Sequence, residues 1–545
     1  MWPRSMLPAS APSLPRRVPR ETETDPGGPP RFLWPRVALA ALAALAVAAP
    51  LPFLDRSHAV AVFYDDAFYY FQIAREVARG SGFTFDGQHP TNGFHPLWLF
   101  VLVPVFRVLG DAAALPMALA LQAGLVAVAA MAVFGALQRR IGGAAAAAAA
   151  LLLIGQPSAA RILGGGMEGS LVLCLLVIVW ARWLELEGAD RAPAHRWWEL
   201  GTWCALLFLA RLESLLAVPI LLWLGRRRLR HQPLNALALA APTAVAAAAY
   251  TLWSRHAFGL WVPVSALVKS HLAPVTWSQQ PLAARLALAL DVPWLGSALA
   301  HRLMLAAGFD MRWHPYVSAL LLVAAVGVLV WKRATVGGSL RAAGAPFVVL
   351  FAVALLVADK IGVRLLHDWY RSPTLLLNAV VVAALLARFP RAARIAVCAL
   401  VPLALARGGQ RFAQGLHPAQ PLSPVVEAAD WLRAFGGHER IGSWNAGALG
   451  YLADRDIIGL DGLVNDAAFF REVVAGGHIS EYLARERVRF LADVTFENGT
   501  LAPLSRYPAA ERAAVEAAYV PRAYLRGRCV GPCGAVTVFE RADAR

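Results

Sequence analysis

Two adjacent carboxylates are the residues of this chain best suited to acid–base chemistry. Asp65 and Asp66 directly follow the first apolar segment, which ends near residue 54. A pair of acids beside an apolar boundary is unfavourable unless something uses it, and partial loss of solvent raises a carboxyl pKa toward that of a general base. Helix capping is the structural alternative, and it explains one acid but not two. We expect Asp66 to be the cap, so Asp65 is slightly preferred as the base and both remain candidates.

The next segment is a turn-rich string whose sequence is His89-Pro90-Thr91-Asn92-Gly93-Phe94-His95-Pro96. Its prolines disfavour a helix, and Asn-Gly favours a turn. His89, Asn92 and His95 are candidates for substrate binding, and a rigid loop is an equally supported alternative. A separation of six residues between the histidines matches no recognised metal-ligand spacing. Between the acids and this string, residues 67–79 have the apolar spacing of a helix lying at the membrane interface.

Other charged groups interrupt apolar surroundings further along the chain. Glu168 follows a run of glycines and starts a helical segment, so capping is its structural alternative. Arg211 and Glu213 lie within an apolar stretch, where charge is unfavourable unless it is paired with another residue or a ligand. We expect these two side chains to pair with each other or to contact a substrate.

Cationic and aromatic groups recur at the predicted outer ends of later apolar segments. They are Lys269 and His271 in one segment, and His367, Tyr370 and Arg371 in another. Snorkelling and interfacial anchoring are the structural alternatives for such residues. Together they would supply fixed positive charge for a phosphate that gains negative charge as it leaves.

Composition places the chain among polytopic membrane proteins. Of its 545 residues, 58% are hydrophobic and 16% are charged, and the mean hydropathy is +0.52. The net charge is +16, but the arginines cluster at the ends of apolar runs, which is typical of topology signals and not of a nucleic-acid-binding stripe. We therefore predict no nucleic-acid partner. Membrane lipid or a phosphate-bearing substrate accounts for the remaining basic excess.

Apolar runs and basic clusters together predict the topology. About 11 crossings are expected with the N-terminus in the cytoplasm, although two long stretches, 97–137 and 201–224, are ambiguous. The other expected crossings are 37–54, 143–160, 168–184, 234–253, 316–331, 345–362, 372–387 and 393–406. Residues 55–96, 161–167, 254–315, 363–371 and everything after about 407 then share the outer face.

The predicted organisation has three parts: a disordered cytoplasmic tail over 1–35, a membrane module over 36–406 and an extracytoplasmic soluble α/β domain over 407–545. In the last part we expect strands at 440–444 and 457–460, and helices at 446–453 and 480–486. Cys529 and Cys533 lie in a polar turn there, and a disulfide between them stays open.

The string after the first apolar segment resembles the GT-C superfamily of integral membrane glycosyltransferases, which includes protein O-mannosyltransferases, aminoarabinose transferases and arabinofuranosyltransferases. The matching motifs are Asp65-Asp66-Ala67-Phe68-Tyr69-Tyr70, Thr84-Phe85-Asp86-Gly87 and the string from His89 to Trp98. A looser likeness covers segments around Glu168, Arg211, Lys269 and Tyr370. The segments from Ser443 to Gly447 and from Leu460 to Asn465 resemble the outer domain of bacterial members.

This resemblance implies sugar transfer, with inversion, from a polyprenyl-phosphate donor to an acceptor outside a bacterial cytoplasmic (inner) membrane, with the C-terminal domain in the periplasm or outside the cell. It also implies that an acid of the first loop acts as base or metal ligand, and that Lys269 and Arg371 receive the leaving phosphate. Some branches hold a divalent cation, such as Mg²⁺ or Mn²⁺, through a second acid. Glu168 is the candidate for that acid, and metal dependence stays open.

Two other classes of protein remain as alternatives to a transferase: a transporter or flippase of lipid-linked sugars, and a non-catalytic envelope assembly protein. A transporter is expected to carry polar or broken helices at the bilayer midplane in repeated halves. In this chain the polar groups gather at the predicted outer face and no internal repeat is evident. The carboxylate pair near cationic segments would also be unnecessary in a purely structural protein.

Overall fold

The computed structural model describes residues 33–156, 159–189, 192–278, 295–307, 310, 313–362, 368–416, 423–435, 437–495, 501–526 and 535–544. Three predictions lie outside these residues: the tail up to residue 32, the role of His367 and the disulfide between Cys529 and Cys533. Residues 33–35 of the expected tail are already helical.

Helices make up the first three quarters of the chain. They are α1 (Leu33–Ala48), α2 (Arg56–Val62), α3 (Asp65–Arg79), α4 (Pro96–Ile141), α5 (Gly143–Gly155), α6 (Ala159–Gly164), α7 (Gly169–Glu187), α8 (Ala194–Ala210), α9 (Ala217–Leu229), α10 (Pro233–Phe258), α11 (Val264–Ser278), α12 (Leu295–Ala306), α13 (His314–Trp331), α14 (Arg333–Ala342), α15 (Ala345–Gly362), α16 (Ser372–Leu386) and α17 (Pro390–Leu416).

Six helices of the described residues are long and apolar enough to cross a membrane, and a bent pair, 334–342 with 345–358, would make a seventh. Several of these helices expose large apolar side chains, such as Leu234 and Val245 of α10, as lipid-facing surfaces do. The chain is therefore a multi-pass membrane protein. The predicted total of about 11 crossings stays a prediction.

Both stretches that were ambiguous in sequence contain a break. Within 97–137, α4 is interrupted at Gly110, whose φ of 68° is a conformation that glycine adopts readily. Within 201–224, α8 ends at Arg211 and a short 3₁₀ helix, Leu212–Leu216, leads into α9. Because of these breaks, neither stretch forms one continuous span, which is why both were ambiguous in the sequence.

Helix α3 is covered by protein on both sides, whereas we expected one of its faces to be open at the membrane interface. Its residues from Ala67 to Glu76 are all buried, because α4 packs on it and a helix from the C-terminal part of the chain covers it as well. The helical period was predicted correctly, but the partner that covers its outer face comes from distant sequence.

The C-terminal region, residues 423–544, combines helices with one sheet. Its helices are α18 (Pro424–Phe435), α19 (Ala446–Ala453), α20 (Ala467–Phe469), α21 (Ile479–Arg485) and α22 (Ala509–Ala518), and its strands are β1 (Arg440–Ser443), β2 (Ile457–Gly459), β3 (Val488–Val494), β4 (Tyr519–Leu525) and β5 (Val536–Arg541). The strand order is β2-β1-β3-β5-β4. Strands β2 and β3 pair parallel to β1, whereas β5 pairs antiparallel with β3 and β4.

The four elements predicted in this region are present with bounds shifted by no more than about two residues. The boundary predicted after residue 406 falls within a helix, because α17 continues to Leu416. A single apolar core runs from Leu39 in α1 through Phe71 in α3 to Ile441 and Val538 in the sheet. The C-terminal region is thus packed onto the membrane helices.

Candidate active site

A cleft opens where the predicted first outer loop (residues 55–96), the start of α7 and the start of α11 meet. It encloses about 530 Å³ of space, including its open mouth. Its walls are formed by Asp66, Tyr69, Tyr70, Ile73, Gly93, Phe94, His95, Met167, Glu168, Pro263, Ser265, Lys269, Trp369, Tyr370 and Leu463. Five of the predicted site residues therefore meet here: Asp66, His95, Glu168, Lys269 and Tyr370.

The two adjacent aspartates have different surroundings. Asp66 lines the cleft, whereas the Oδ1 atom of Asp65 accepts a hydrogen bond of 2.9 Å from the backbone N–H of Ala448 in α19. Tyr64 occupies the N-cap position, because the helix begins at Asp65, so the expectation that Asp66 caps this helix is wrong. The reason for preferring Asp65 as the base therefore no longer holds.

A third carboxylate, which the sequence interpretation missed, lies behind the aspartate pair. Asp461 accepts a hydrogen bond of 2.6 Å from the Tyr69 hydroxyl and another of 2.9 Å from the backbone of Leu463. Burial, with a smaller contribution from the nearby acids Asp66 and Asp65, raises the pKa of Asp461 to about 7. Burial likewise raises the pKa of Asp65 to about 6.

Glu168 is the centre of a buried polar network beside the cleft. Its carboxylate lies 3.2 Å from Arg211 and accepts a hydrogen bond of 3.3 Å from the Tyr70 hydroxyl. Both Glu168 and Arg211 are at most 2% exposed. Arg211 also lies 3.6 Å from Glu213, which confirms the expected pairing of those two side chains. Glu168 occupies the N-cap position of α7, but its carboxylate makes no capping hydrogen bond.

The imidazole of His95 completes this network. Its Nε2 atom lies 3.9 Å from Glu168, and its backbone N–H donates to the Tyr70 hydroxyl at 3.1 Å. Burial lowers the pKa of His95 despite the nearby carboxylate. The ring is therefore neutral at pH 7 and offers one donor and one acceptor to the cleft.

Positive charge in the cleft comes from Lys269. Its Nζ atom donates a hydrogen bond of 2.9 Å to the Tyr370 hydroxyl, and the guanidinium of Arg211 stacks 4.0 Å from the centre of the Tyr370 ring. Burial acts to lower the pKa of Lys269, but Tyr370 and the carboxylate of Asp66 outweigh it, so that pKa is raised. Lys269 is therefore charged at pH 7, in the same cleft as an acid.

The backbone around the cleft is held by buried amide groups. The side chain of Asn92 donates to Ser254 at 2.8 Å and to the Val262 carbonyl at 3.1 Å, and it accepts from the backbone N–H of Val264 at 2.8 Å. Asn92 is buried and does not line the cleft, so its amide fixes the start of α11 and does not face a substrate. This corrects the binding role predicted for Asn92. Because Lys269 belongs to α11, the anchoring of this helix by Asn92 also helps to fix the position of Lys269.

Glycines allow the loop before α7 to approach the first outer loop closely. A Cβ atom on Gly165 would lie 2.5 Å from the Tyr64 ring, and one on Gly166 would lie 2.6 Å from Ala67. Gln122 donates to the Met167 carbonyl at 2.7 Å and Trp98 donates to the Gly166 carbonyl at 2.9 Å. The glycine run is therefore tightly packed and hydrogen-bonded.

Other predicted site residues lie outside the cleft walls. His89 bonds Asp86 at 2.6 Å and faces Glu486, His271 is exposed beside Phe470, and Arg371 and Glu213 lie next to lining residues without lining the cleft themselves. His89 therefore belongs to the contact between the first outer loop and the C-terminal region.

Among the residues that the structure describes, no group of three or more His, Cys, Asp and Glu side chains is arranged to hold a metal ion. Glu168 is instead engaged by Arg211 and Tyr70. The described donor set does not fit a metal, and we derive no step through one.

Comparison of the fold with solved structures gives two informative likenesses. The crystal structure of ArnT from Cupriavidus metallidurans bound to undecaprenyl phosphate matches with a TM-score of 0.52 and 13% identity, over 94% of this chain and 98% of that one. The apo oligosaccharyltransferase from Archaeoglobus fulgidus matches with a TM-score of 0.50 and 13% identity, over 91% and 73% of the respective chains. Both proteins are GT-C glycosyltransferases. This chain has the GT-C fold.

At this level of identity the likeness establishes the GT-C fold alone, in agreement with the resemblance seen in the sequence. No protein-family model matches the chain, and no curated protein matches it in sequence. The chemistry within the GT-C fold therefore has to be argued from the cleft. One signal could have revealed Asp461: it follows the end of β2, and the carboxyl ends of parallel strands are where α/β sheets place ligand-contacting residues.

Proposed function

We propose that this protein is a membrane glycosyltransferase that moves a sugar from a polyprenyl-phosphate donor to an acceptor hydroxyl on the outer side of a bacterial cytoplasmic membrane. The observation that carries the proposal is the joint presence of Asp66 and Lys269 in one cleft of a GT-C fold. An acid suited to deprotonate an acceptor and a cation suited to receive a phosphate are the two groups that this reaction requires.

In the proposed reaction the acceptor oxygen attacks the anomeric carbon from the face opposite the phosphate. The new C–O bond forms as the bond to the phosphate oxygen breaks, so the configuration inverts. Asp66 takes the proton of the acceptor hydroxyl. Polyprenyl phosphate leaves with the bonding electron pair, and Lys269 stabilises the negative charge that grows on it.

The buried network around Glu168 would support Lys269. Arg211 is held between Glu168 and the ring of Tyr370, and Tyr370 accepts the hydrogen bond from Lys269. The network therefore fixes the ammonium group in position before the donor arrives, which lowers the reorganisation needed during transfer. A polyprenyl phosphate donor is supported by the undecaprenyl phosphate bound to ArnT, which shares the fold.

The proposed topology places the N-terminus in the cytoplasm and the cleft on the outer side, with about 11 crossings. The arginine clusters support this orientation, because Arg226, Arg227 and Arg228 lie at the end of α9, away from the Arg211 end where the cleft network lies.

The proposal is tested with purified full-length protein in phospholipid vesicles. A panel of undecaprenyl-phosphate-linked hexoses and pentoses serves as donors, with a bacterial envelope fraction as acceptor, and release of undecaprenyl phosphate is measured. We expect the wild type to release it from at least one donor and Asp66→Asn to lose this activity. Movement of an intact donor between leaflets without its consumption would indicate a transporter instead, and turnover unaffected by Asp66→Asn would contradict the assigned chemistry.

A further inference from the structure

Helix α19 of the C-terminal region lies along α3 and is held at both ends by residues of α3. At its beginning, Asp65 accepts the hydrogen bond of Ala448. At its end, Arg75 donates a hydrogen bond of 3.2 Å to the Tyr451 carbonyl, and its guanidinium lies 4.6 Å from the centre of the Tyr451 ring. Negative charge is favourable at a helix N-terminus and positive charge at a C-terminus. The two charges of α3 therefore match the two ends of α19.

Three glycines bring the two parts of the chain into backbone contact. A Cβ atom on Gly447 would lie 2.2 Å from the Asp65 carbonyl oxygen, and one on Gly450 would lie 2.6 Å from the Phe85 ring. A Cβ atom on Gly93 would lie 1.9 Å from the carbonyl oxygen of Leu463. A Cβ atom at Gly447 or Gly93 would meet backbone of the facing segment, so a larger residue there requires that the C-terminal region move away from the first outer loop, whereas one at Gly450 requires that the Phe85 ring move.

The contact brings part of the C-terminal region into the cleft. Leu463 lines the cleft directly. Asp461 acts on the cleft through the lining residue Tyr69, because it accepts a hydrogen bond of 2.6 Å from the Tyr69 hydroxyl. The second carboxylate oxygen of Asp461 holds the backbone of Leu463. One buried acid therefore fixes two neighbouring pieces of the wall next to Asp66.

We propose that Asp461 is a positioning residue of the transfer site, which holds Tyr69 and Leu463 beside Asp66, and that Asp65 and the glycine contacts dock the C-terminal region to deliver it. This inference rests on the proposed transferase function and extends it to residues 446–463. The C-terminal region is then a part of the active site, and Asp65 acts through the docked helix instead of touching the substrate.

A double-mutant cycle separates positioning by Asp461 from direct chemistry. It uses the reconstituted full-length protein and the undecaprenyl-phosphate sugar that the wild type turns over. We expect Asp461→Ala and Tyr69→Phe each to lower kcat/KM about 10-fold to 100-fold, the range of a hydrogen bond to a charged group, and the double variant to lose no more than the worse single variant. Asp461→Asn keeps one acceptor oxygen, which can serve either Tyr69 or Leu463 but not both, so we expect it to restore part of the activity lost in Asp461→Ala.

Additive losses in this cycle, or an Asp461→Asn variant as inactive as Asp461→Ala, would overturn the positioning role. Asp456→Asn is the matched control, because Asp456 is an exposed aspartate of the same region. If the wild type turns over no donor, the proposed function fails. If the wild type is active but the variants do not follow this pattern, only the present inference fails.

Docking is tested without reference to activity by hydrogen–deuterium exchange of peptides that cover residues 446–453. We expect Gly447→Ala and Asp65→Ala to accelerate exchange there, whereas Asp65→Asn keeps the acceptor for Ala448 and exchanges more slowly than Asp65→Ala. Gly409→Ala is the glycine control, because a Cβ atom at that position meets nothing within 4 Å. If the exchange rate of this helix were the same as in wild type in both Gly447→Ala and Asp65→Ala, the docking role would be overturned.

Discussion

The Oδ1 atom of Asp65 lies 2.9 Å from the backbone nitrogen of Ala448, although 383 positions separate the two residues. Asp66, the next residue, faces the cleft. Successive residues of an α-helix point about 100° apart, so two adjacent acids at a helix start address different surroundings. One acid docks the C-terminal region and the other lines the cleft, so the two adjacent acids have separate roles.

Loss of the charge on Lys269 should slow transfer. Among the residues that the structure describes, no other lining residue of the cleft is a lysine or arginine. We therefore expect Lys269→Gln to lower kcat about 100-fold or more, the usual effect of removing one group that stabilises developing negative charge. Lys269→Arg keeps the charge and should retain more activity. Initial rates of donor turnover measure the kcat of both variants. Inhibition by the product, undecaprenyl phosphate, measures how well each variant binds the leaving phosphate. Equal rates for Lys269→Gln and wild type would exclude Lys269 from the phosphate site.

The buried pair of Glu168 and Arg211 should be more important for stability than an exposed pair. We expect Glu168→Gln to destabilise the protein by about 1.5–3 kcal/mol, because it removes the hydrogen bond between two buried charged groups and leaves Glu213, 3.6 Å away, as the remaining carboxylate beside Arg211. The double variant Glu168→Gln/Arg211→Met should recover part of this loss. Thermal unfolding in detergent measures it.

The control for this pair is Glu185→Gln, which breaks the exposed ion pair of Arg182 and Glu185 and should change stability by less than about 1 kcal/mol. If Glu168→Gln and Glu185→Gln had the same effect, the buried network would not be the support that we describe.

Asp461 should make stability depend on pH. Its pKa is about 7 in the folded protein and about 3.9 in an unfolded chain. Between these values the folded state holds a proton that the unfolded state has lost, so stability decreases as the pH rises from about 4 to about 7. Asp461→Asn has no such proton, so the Tm of the variant relative to wild type should increase from pH 5 to pH 7.5.

Thermal unfolding of both proteins across this pH range measures the difference, with Asp456→Asn as a control that should show none. A difference that stayed constant with pH, or that changed in the opposite direction, would show that the pKa of Asp461 is not raised.

Local sequence patterns predicted the elements well. The apolar spacing of residues 67–79 and the strand near 440–444 depend on neighbours close in the chain, and the structure contains both. The stretches 97–137 and 201–224 were recognised only as ambiguous, and the structure locates their breaks at Gly110 and Arg211. The proximity of Asp66, Glu168 and Lys269 could also be predicted, because the predicted topology put their segments on one face of the membrane.

Contacts between distant segments were beyond such patterns. Asp461 lies 392 positions from Tyr69, and nothing in the first outer loop specifies which strand end will reach it. Asn92 was interpreted as a ligand because an amide in a turn suits both binding and backbone support. Only its partners, Ser254 and the backbone of residues 262 and 264, distinguish the two roles.

The most direct test of Asp66 as the general base compares Asp66→Asn with Asp65→Asn in the same vesicles. The measured quantity is kcat for the donor. Loss of a general base lowers rates about 100-fold to 10,000-fold, and we predict a loss of this size for Asp66→Asn. Asp65→Asn keeps the acceptor oxygen for Ala448 and should lose less than tenfold. The opposite order, with Asp65→Asn the more damaging substitution and Asp66→Asn close to wild type, would contradict the assignment of Asp66 as the base.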